Sequence, residues 1–348
     1  MTLNAYSYGF GNARVRALKA QMLPKEKLEE MVKAPSVGSL IATLSDSAYS
    51  QELVELSLEY NGGTLVEAAT ARRFSKVSRK ILDSTPKSGK GVVRAALSKW
   101  DVHNLRIILL AKHLKKPDEE ARRWFIPAGG ITANELEGIL KQETIADIVN
   151  YIGNSSYGHK LRENLQDYER RGEINALLSA LDFVYLMGLA DAVRKTSDRL
   201  VSALLSAEVD AGNIMVALRC KNDGSIPDEK ILSYVVPAGG LRKDDISAIL
   251  SAKDWIDEVS KLRHYELQKA AKEYRNDGLL SHFEARLEDD VMRHATMAFY
   301  GSVLSLGVMV GFIFIMGDEL RKIRKIVRGK EYNLGEDRLR EMVFKEAG

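Results

Sequence analysis

The sequence predicts an all-α chain made of three similar helical-bundle domains, and three observations carry that prediction. Helix-forming residues and apolar positions three and four apart run through nearly the whole chain, whereas alternating β-branched runs and Asn-Gly hairpins between apolar segments are scarce. One stretch recurs at a fixed interval: Asp101 to Lys112, Asp210 to Lys221 and Glu319 to Lys330 begin 109 residues apart. Two further landmarks keep step with it. Tyr49, Tyr157 and Tyr265 follow each other at intervals of 108, and the run Trp124 to Ile131 with Pro127-Ala-Gly129-Gly130 returns as Tyr234 to Leu241 with Pro237-Ala-Gly239-Gly240. Leu23-Pro24-Lys25 stands in the first unit as a shortened form. Several landmarks in one register are the signature of a duplicated chain, and they divide the 348 residues into 1–112, 113–221 and 222–348, the last with a C-terminal extension.

The elements follow in order. Residues 1–22 mix Ala13, Ala17 and Ala20 with Arg14, Arg16 and Lys19, all good helix formers. Pro24 opens a helix with Leu28, Met31 and Val32 at helical spacing. Pro35-Ser36 starts the next, through Leu40, Ile41 and Leu44; Ser45-Asp46-Ser47 turns it, and a helix from about Tyr49 to Tyr60 follows. Asn61-Gly62-Gly63 breaks the chain with Thr64 as the expected cap of a helix carrying Arg72, Arg73, Lys76, Arg79 and Lys80. Thr85-Pro86-Lys87-Ser88-Gly89 reads as a loop leading into one helix over Val92 to Lys112. The second unit repeats the order with Pro117-Asp118, Pro127-Ala128-Gly129-Gly130 and a capping box from Thr132 to Glu135. The third does so with Pro227-Asp228, Pro237-Ala238-Gly239-Gly240 and Lys243-Asp244-Asp245.

Composition narrows the function classes. With 45% hydrophobic and 28% charged residues and a net charge of +3, the chain has the makings of an ordinary core and no excess charge pointing to nucleic acid or a membrane surface. The single cysteine, Cys220, lies on an apolar run and reads as a buried side chain. Met1 to Phe10 lacks a basic segment followed by an apolar core, so a cytoplasmic location is expected. Ala295 to Met316 is 22 residues without a formal charge, followed by cations from Arg321 to Lys330. Its length would span a bilayer, which makes a membrane-anchored helical protein the alternative reading. Its place in the repeat, with Thr296, Ser302 and Ser305 inside it, favours a buried central helix.

The searches for chemistry return no catalytic, cofactor or metal site. Ser84 to Gly91 superficially suggests a phosphate loop, but Ser84 replaces the first glycine, Gly91 follows Lys90 and no strand precedes it. Gly9-Phe10-Gly11 has Arg14 where a dinucleotide fingerprint needs its third glycine. The six histidines show no pair at i, i+4, and Glu288-Asp289-Asp290 lacks the closing acid of a metal-binding motif because Arg293 stands there. No Ser or Cys stands in a nucleophile elbow. Apart from Phe74, the cations of 72–99 and 321–330 have no aromatics interleaved with them, so they read as solvated faces or as docking sites for an acidic partner.

Together with the repeats, Tyr6-Ser7-Tyr8-Gly9 and Asn12-Ala13-Arg14-Val15-Arg16 at the start and Glu319-Leu-Arg321-Lys322-Ile323-Arg324-Lys325-Ile326 near the end resemble the C-subunit family of archaeal, A-type ATP synthases, related to the d subunit of V-type ATPases. Tyr49 fits the family's tyrosine after the third helix, and Lys322 departs from it, standing where the family favours Asn. The resemblance implies a pseudo-threefold funnel and a non-catalytic central-stalk rotor component. Its wide end would receive the central-shaft subunits D and F, and its base would rest on the membrane c-ring at the cytoplasmic side of the cell membrane, transmitting torque in both directions. No cofactor, nucleic acid or small-molecule substrate is implied. Arg14, Arg16, Lys19, Arg72, Arg73 and Lys76 are the candidate partner-interface cations, and Tyr49, Tyr157, Tyr265, Asp101, Asp210 and Glu319 are the residues that define the repeat.

Overall fold

The computed structural model describes residues 2–224, 226–301 and 304–344. Seven helices precede residue 114: α1 (Thr2–Lys19), α2 (Lys25–Lys33), α3 (Val37–Ser45), α4 (Ser50–Leu56), α5 (Gly62–Ser84), α6 (Lys87–Leu97) and α7 (Lys99–His113). The middle of the chain forms α8 (Asp118–Arg122), α9 (Ala133–Leu140), α10 (Ile145–Tyr151), α11 (Ser156–Arg171), α12 (Asn175–Lys195) and α13 (Arg199–Asp223). Then come α14 (Asp228–Ser233), α15 (Lys243–Ser251), α16 (Trp255–Ser260), a 3-10 turn (Arg263–Tyr265), α17 (Gln268–Asp277), α18 (Ser281–Tyr300), α19 (Leu306–Glu331) and α20 (Glu336–Phe344). No strand occurs among the described residues, so the chain is all-α as expected.

Local signals set many of these boundaries. The predicted capping box is present at α9, where the Glu135 backbone N–H donates to Thr132 Oγ1 and Glu135 Oε2 accepts from the Thr132 N–H. Thr144 and Asp147 do the same for α10. Asp198 caps α13 by accepting from the N–H groups of Leu200 and Val201, and it also accepts from Gly307 N–H at the start of α19.

Four sequence expectations shift. The cap position of α5 is Asn61 rather than Thr64, because the chain turns helical already at Gly62. The loop expected over 85–89 shrinks to Thr85-Pro86, since Pro86 supplies a fixed φ ahead of a helix that starts at Lys87. The helix expected over 92–112 is broken at Ser98 into α6 and α7. The apolar run 295–316 is not one helix: it finishes α18 at Tyr300, breaks, and resumes at Leu306, capped by Ser305, so no single span forms there; Ser302 lies outside the described residues. Two other helices, Asn175–Lys195 and Arg199–Asp223, are long and apolar enough to cross a membrane, but their apolar windows are 56% and 67% buried within the fold.

Long helices build the centre. Helix α13 lies against α12, α18 and α19; α19 also packs on α1 and α5, and α12 on α6 and α7. Short helices cover the outside in a consistent way, α8 to α10 against α7, α14 and α15 against α13, and α2 and α3 against α19. One contiguous apolar cluster draws on residues from Val15 to Leu320 and includes side chains on both sides of 112–113 (Ala111 and Ala121) and of 221–222 (Cys220 and Ile226). A second, smaller one joins the two ends of the chain, with Met31, Leu40 and Tyr49 packed against Ile323, Ile326 and Leu339. Cys220 is buried at 2% exposure, which pushes its thiol pKa up.

Candidate functional site

The recurring carboxylates do structural work. Asp210 accepts from the Gly240 and Leu241 N–H groups at 2.7 and 3.3 Å and from the Tyr265 hydroxyl at 2.8 Å. Asp101 accepts from Gly130 and Ile131 at 2.8 and 2.9 Å. Tyr157 pairs with Ser98, and burial, then the nearby Asp101 charge, push its phenol pKa up. Glu319 accepts from the Leu23 N–H at 2.7 Å and the Tyr49 hydroxyl at 2.6 Å. Each clamp ties the loop that opens a group of short helices to the long helix beneath it. The repeated Gly129 and Gly239 follow from this: a Cβ at either would lie 2.2 Å from a clamp carboxylate oxygen.

Three residues after each aspartate a second lock repeats. Asn104 donates to the Ile126 carbonyl and accepts its N–H, both at 2.8 Å; Asn213 does so to Val236 at 2.8 and 2.9 Å. The third register position is Lys322, which pairs with Asp318 at 2.9 Å. The loss of Asn has a physical reason. The segment before the first clamp is the long helix α1, whose backbone groups are bonded internally, so no extended strand needs an amide partner.

The other face of the same helices surrounds a cavity of about 340 Å³. Its lining comes in tiers spaced at the repeat interval: Lys99 and Glu208; Val102, Ala211 and Leu320; His103, Gly212 and Arg321; Arg106, Met215 and Arg324. On α7 these are positions 99, 102, 103 and 106, one face of a helix, while Asp101 and Asn104 occupy the face turned to the short helices. Most of the charge is neutralised in place. Lys99 meets Glu208 at 2.8 Å, Arg106 meets Asp182 at 2.5 Å, Arg219 meets Glu284 at 2.8 Å, and Arg321 lies 3.6 Å from Glu288. Burial pushes the Glu208 carboxyl up, but the Lys99 charge and the hydrogen bonds from Lys99 and Tyr185 outweigh it and hold it below the ordinary range. Burial and neighbouring arginines lower His103 to about 4, so it is neutral at neutral pH.

Arg14, Arg16, Lys19, Arg72, Arg73 and Lys76 lie away from this cavity. Lys76 pairs with Glu52 at 3.0 Å and Glu55 at 3.4 Å, and Arg72 with Glu55 at 3.5 Å. Arg73 bonds Gln21 and stacks 5.4 Å above the Tyr49 ring, Arg14 bonds Ser84, and Arg16 lies 5.5 Å over Phe299. Lys19 stands near enough to Glu319 to lower its pKa, against the larger effect of burial.

The family model for the ATP synthase (C/AC39) subunit matches residues 11–342. The chain belongs to that family. Its relatives include the A-type ATP synthase C subunit of Thermoplasma acidophilum, 25% identical over 91% of this chain and 90% of the relative. That of Methanocaldococcus jannaschii is 25% identical over 99% and 88%, and that of Methanothermobacter thermautotrophicus 27% identical over 94% and 85%. The family makes the chain a structural, non-catalytic part of a membrane-associated ATP synthase complex. No group of three or more metal-ligating side chains is gathered among the described residues, and the stretch resembling a phosphate loop runs from the end of α5 at Ser84 through Thr85-Pro86 into the first turn of α6.

Sequence reasoning missed the cavity because it looked for runs of cations. The signal was available in the spacing itself: reading positions 106, 215 and 324 against one another sets Arg, Met and Arg at the same register position of α7, α13 and α19, whose inner faces line the cavity.

Proposed function

We propose that this chain is the central-stalk coupling component of an A-type ATP synthase. Three repeated modules, corresponding to 1–112, 113–221 and 222–348, surround a pseudo-threefold axis through the cavity, forming a funnel that receives the central-shaft subunits D and F. The observation that carries this reading is the tiered lining. Positions 109 residues apart meet around one cavity, as expected when duplicated units are related by rotation.

The base that rests on the c-ring is the end where α18 finishes and α13 and α19 begin. By helix rise that end stands about 27 Å along α19 from Arg324. It carries exposed Tyr300, Met297 and Leu304, with Phe10 one residue from Gly9, whose added Cβ would touch Leu304. Surface aromatics of this kind suit a face covered by a partner. Arg14, beside Phe10, belongs to this end. Arg72 and Lys76 border an outer groove with Arg79 and Arg123, which serves as a secondary surface for acidic partners. Torque passes through because a close-packed core shared across all three modules transmits strain. The protein sits on the cytoplasmic side of the membrane and acts without cofactor, nucleic acid or small-molecule substrate.

The test is site-specific cross-linking. A photoreactive group at Ala211 should join the shaft in native membranes and one at Tyr300 should join the ring. Cross-links with the two partners exchanged, or to neither, would refute the arrangement.

A further inference from the structure

The cavity has one charge too many. Five ammonium or guanidinium groups line it (Lys99, Arg106, Arg219, Arg321 and Arg324) against four carboxylates (Asp182, Glu208, Glu284 and Glu288). The first four cations each have a carboxylate within 4 Å. Arg324 has none among the described residues, and its Nε and Nη2 are buried with no hydrogen-bond partner there. Glu67 feels the Arg324 charge but makes no ion pair with it within 4 Å; it is bonded instead by Arg328 at 3.2 Å, and Arg328 is fixed by stacking 4.2 Å over the Trp124 ring. Burial lowers the Arg324 pKa to about 10, with the Arg328 charge adding to it against the opposing pull of Glu67, so the group stays cationic at neutral pH. The side chain is half-buried, and burying two guanidinium nitrogens without hydrogen-bond partners destabilises a fold, so an isolated chain gains nothing by keeping them there.

We infer that Arg324 is the anchor for a single carboxylate carried into the cavity by the inserted polypeptide of the shaft. This rests on the reading of the cavity as the shaft socket. The surplus of one charge matches one carboxylate rather than a phosphate, and the apolar remainder of the lining (Trp100, Leu186, Met215, Val291 and Leu320) suits the side chains that would come with a protein segment. The repeat makes the anchor directional. At the equivalent positions Arg106 is already neutralised by Asp182 and Met215 is uncharged, so one of three related walls attracts the carboxylate and fixes the rotational setting of the shaft.

The experiment measures binding of the purified full-length chain to the purified complex of its cognate shaft subunits D and F by calorimetry. Removing one partner of a desolvated charge pair should weaken binding about 30-fold or more for Arg324→Met, while Arg324→Lys retains part of the affinity. The melting temperature of free Arg324→Met should equal or exceed that of the unmodified chain, whereas a merely structural arginine would lower it. Affinity within twofold of the unmodified chain overturns the inference alone. Failure of the unmodified chain to bind the shaft overturns the socket reading and the inference with it. Stabilisation of the free chain by inorganic phosphate that is lost in Arg324→Met, with shaft affinity unchanged, assigns the site to a free anion and also overturns it.

Discussion

The clamps at Asp210 and at Glu319 solve one mechanical problem with different means. At Asp210 a short side chain reaches two backbone N–H groups 30 and 31 residues on, across a Gly-Gly turn, and Asn213 adds a second lock. At Glu319 one more methylene reaches a single N–H, that of Leu23, 296 residues back, with no glycine in the loop and no asparagine behind it. The short-range clamp tolerates a tight, exacting geometry because its partners are tethered nearby. The long-range one joins the two ends of the chain and relies on the Tyr49 hydroxyl and the apolar packing of Met31 and Leu40 on Ile323 and Ile326. Its closure cost grows only slowly with the intervening length.

This contrast orders the tests. Asp210→Ala leaves three donors unbonded and should cost about 4 kcal/mol in urea unfolding, against about 2–3 kcal/mol for Glu319→Ala. Equal costs would remove the distinction. Gly239→Ala places a methyl 2.2 Å from both Asp210 carboxylate oxygens and should cost about 2–3 kcal/mol, while Gln21→Ala, at the same register position beside the Glu319 clamp and exposed, should cost clearly less. Tyr49→Phe deletes one charge-assisted hydrogen bond, and a loss of about 1–2 kcal/mol is expected in the same assay.

The pH response sharpens the comparison further. Burial holds the Glu319 carboxyl above its ordinary range, so in that window the folded chain binds more protons than the unfolded one. Its contribution is present below the ordinary carboxylate pKa and lost as pH rises through the raised value. The stability of the unmodified chain relative to Glu319→Gln should therefore fall as pH rises above the ordinary carboxylate range. A difference that grew over that range, measured by thermal melting, would contradict the direction. The smallest effect is at Cys220, whose thiol should resist alkylation in the native state and react freely in urea.

Much of this was legible in the residues. The interval of 109 picked out Asp101, Asp210 and Glu319 before any contact was known, and the capping box at Thr132 placed α9. Elsewhere a local signal was overruled. Pro86 turned an apparent loop into the start of α6, and a run apolar enough to suggest a span was cut between Tyr300 and Leu306. The cations from Arg72 to Lys76 looked available in sequence because their partners, Glu52 and Glu55, lie on another helix.

The sequence alone determined the all-helical class and several helix starts, because periodicity, caps and breakers act over a few residues and leave their mark in order along the chain. Only the tertiary structure decided that the chain's last long helix holds its first short ones, that three helix faces meet around a cavity, and that one arginine there has no carboxylate bonded to it among the described residues. Those are facts about groups 100 to 300 residues apart, such as the Lys99 and Glu208 side chains and the Glu319 carboxylate with the Leu23 backbone N–H, and pairing at that range is set by packing and desolvation rather than by neighbours in sequence.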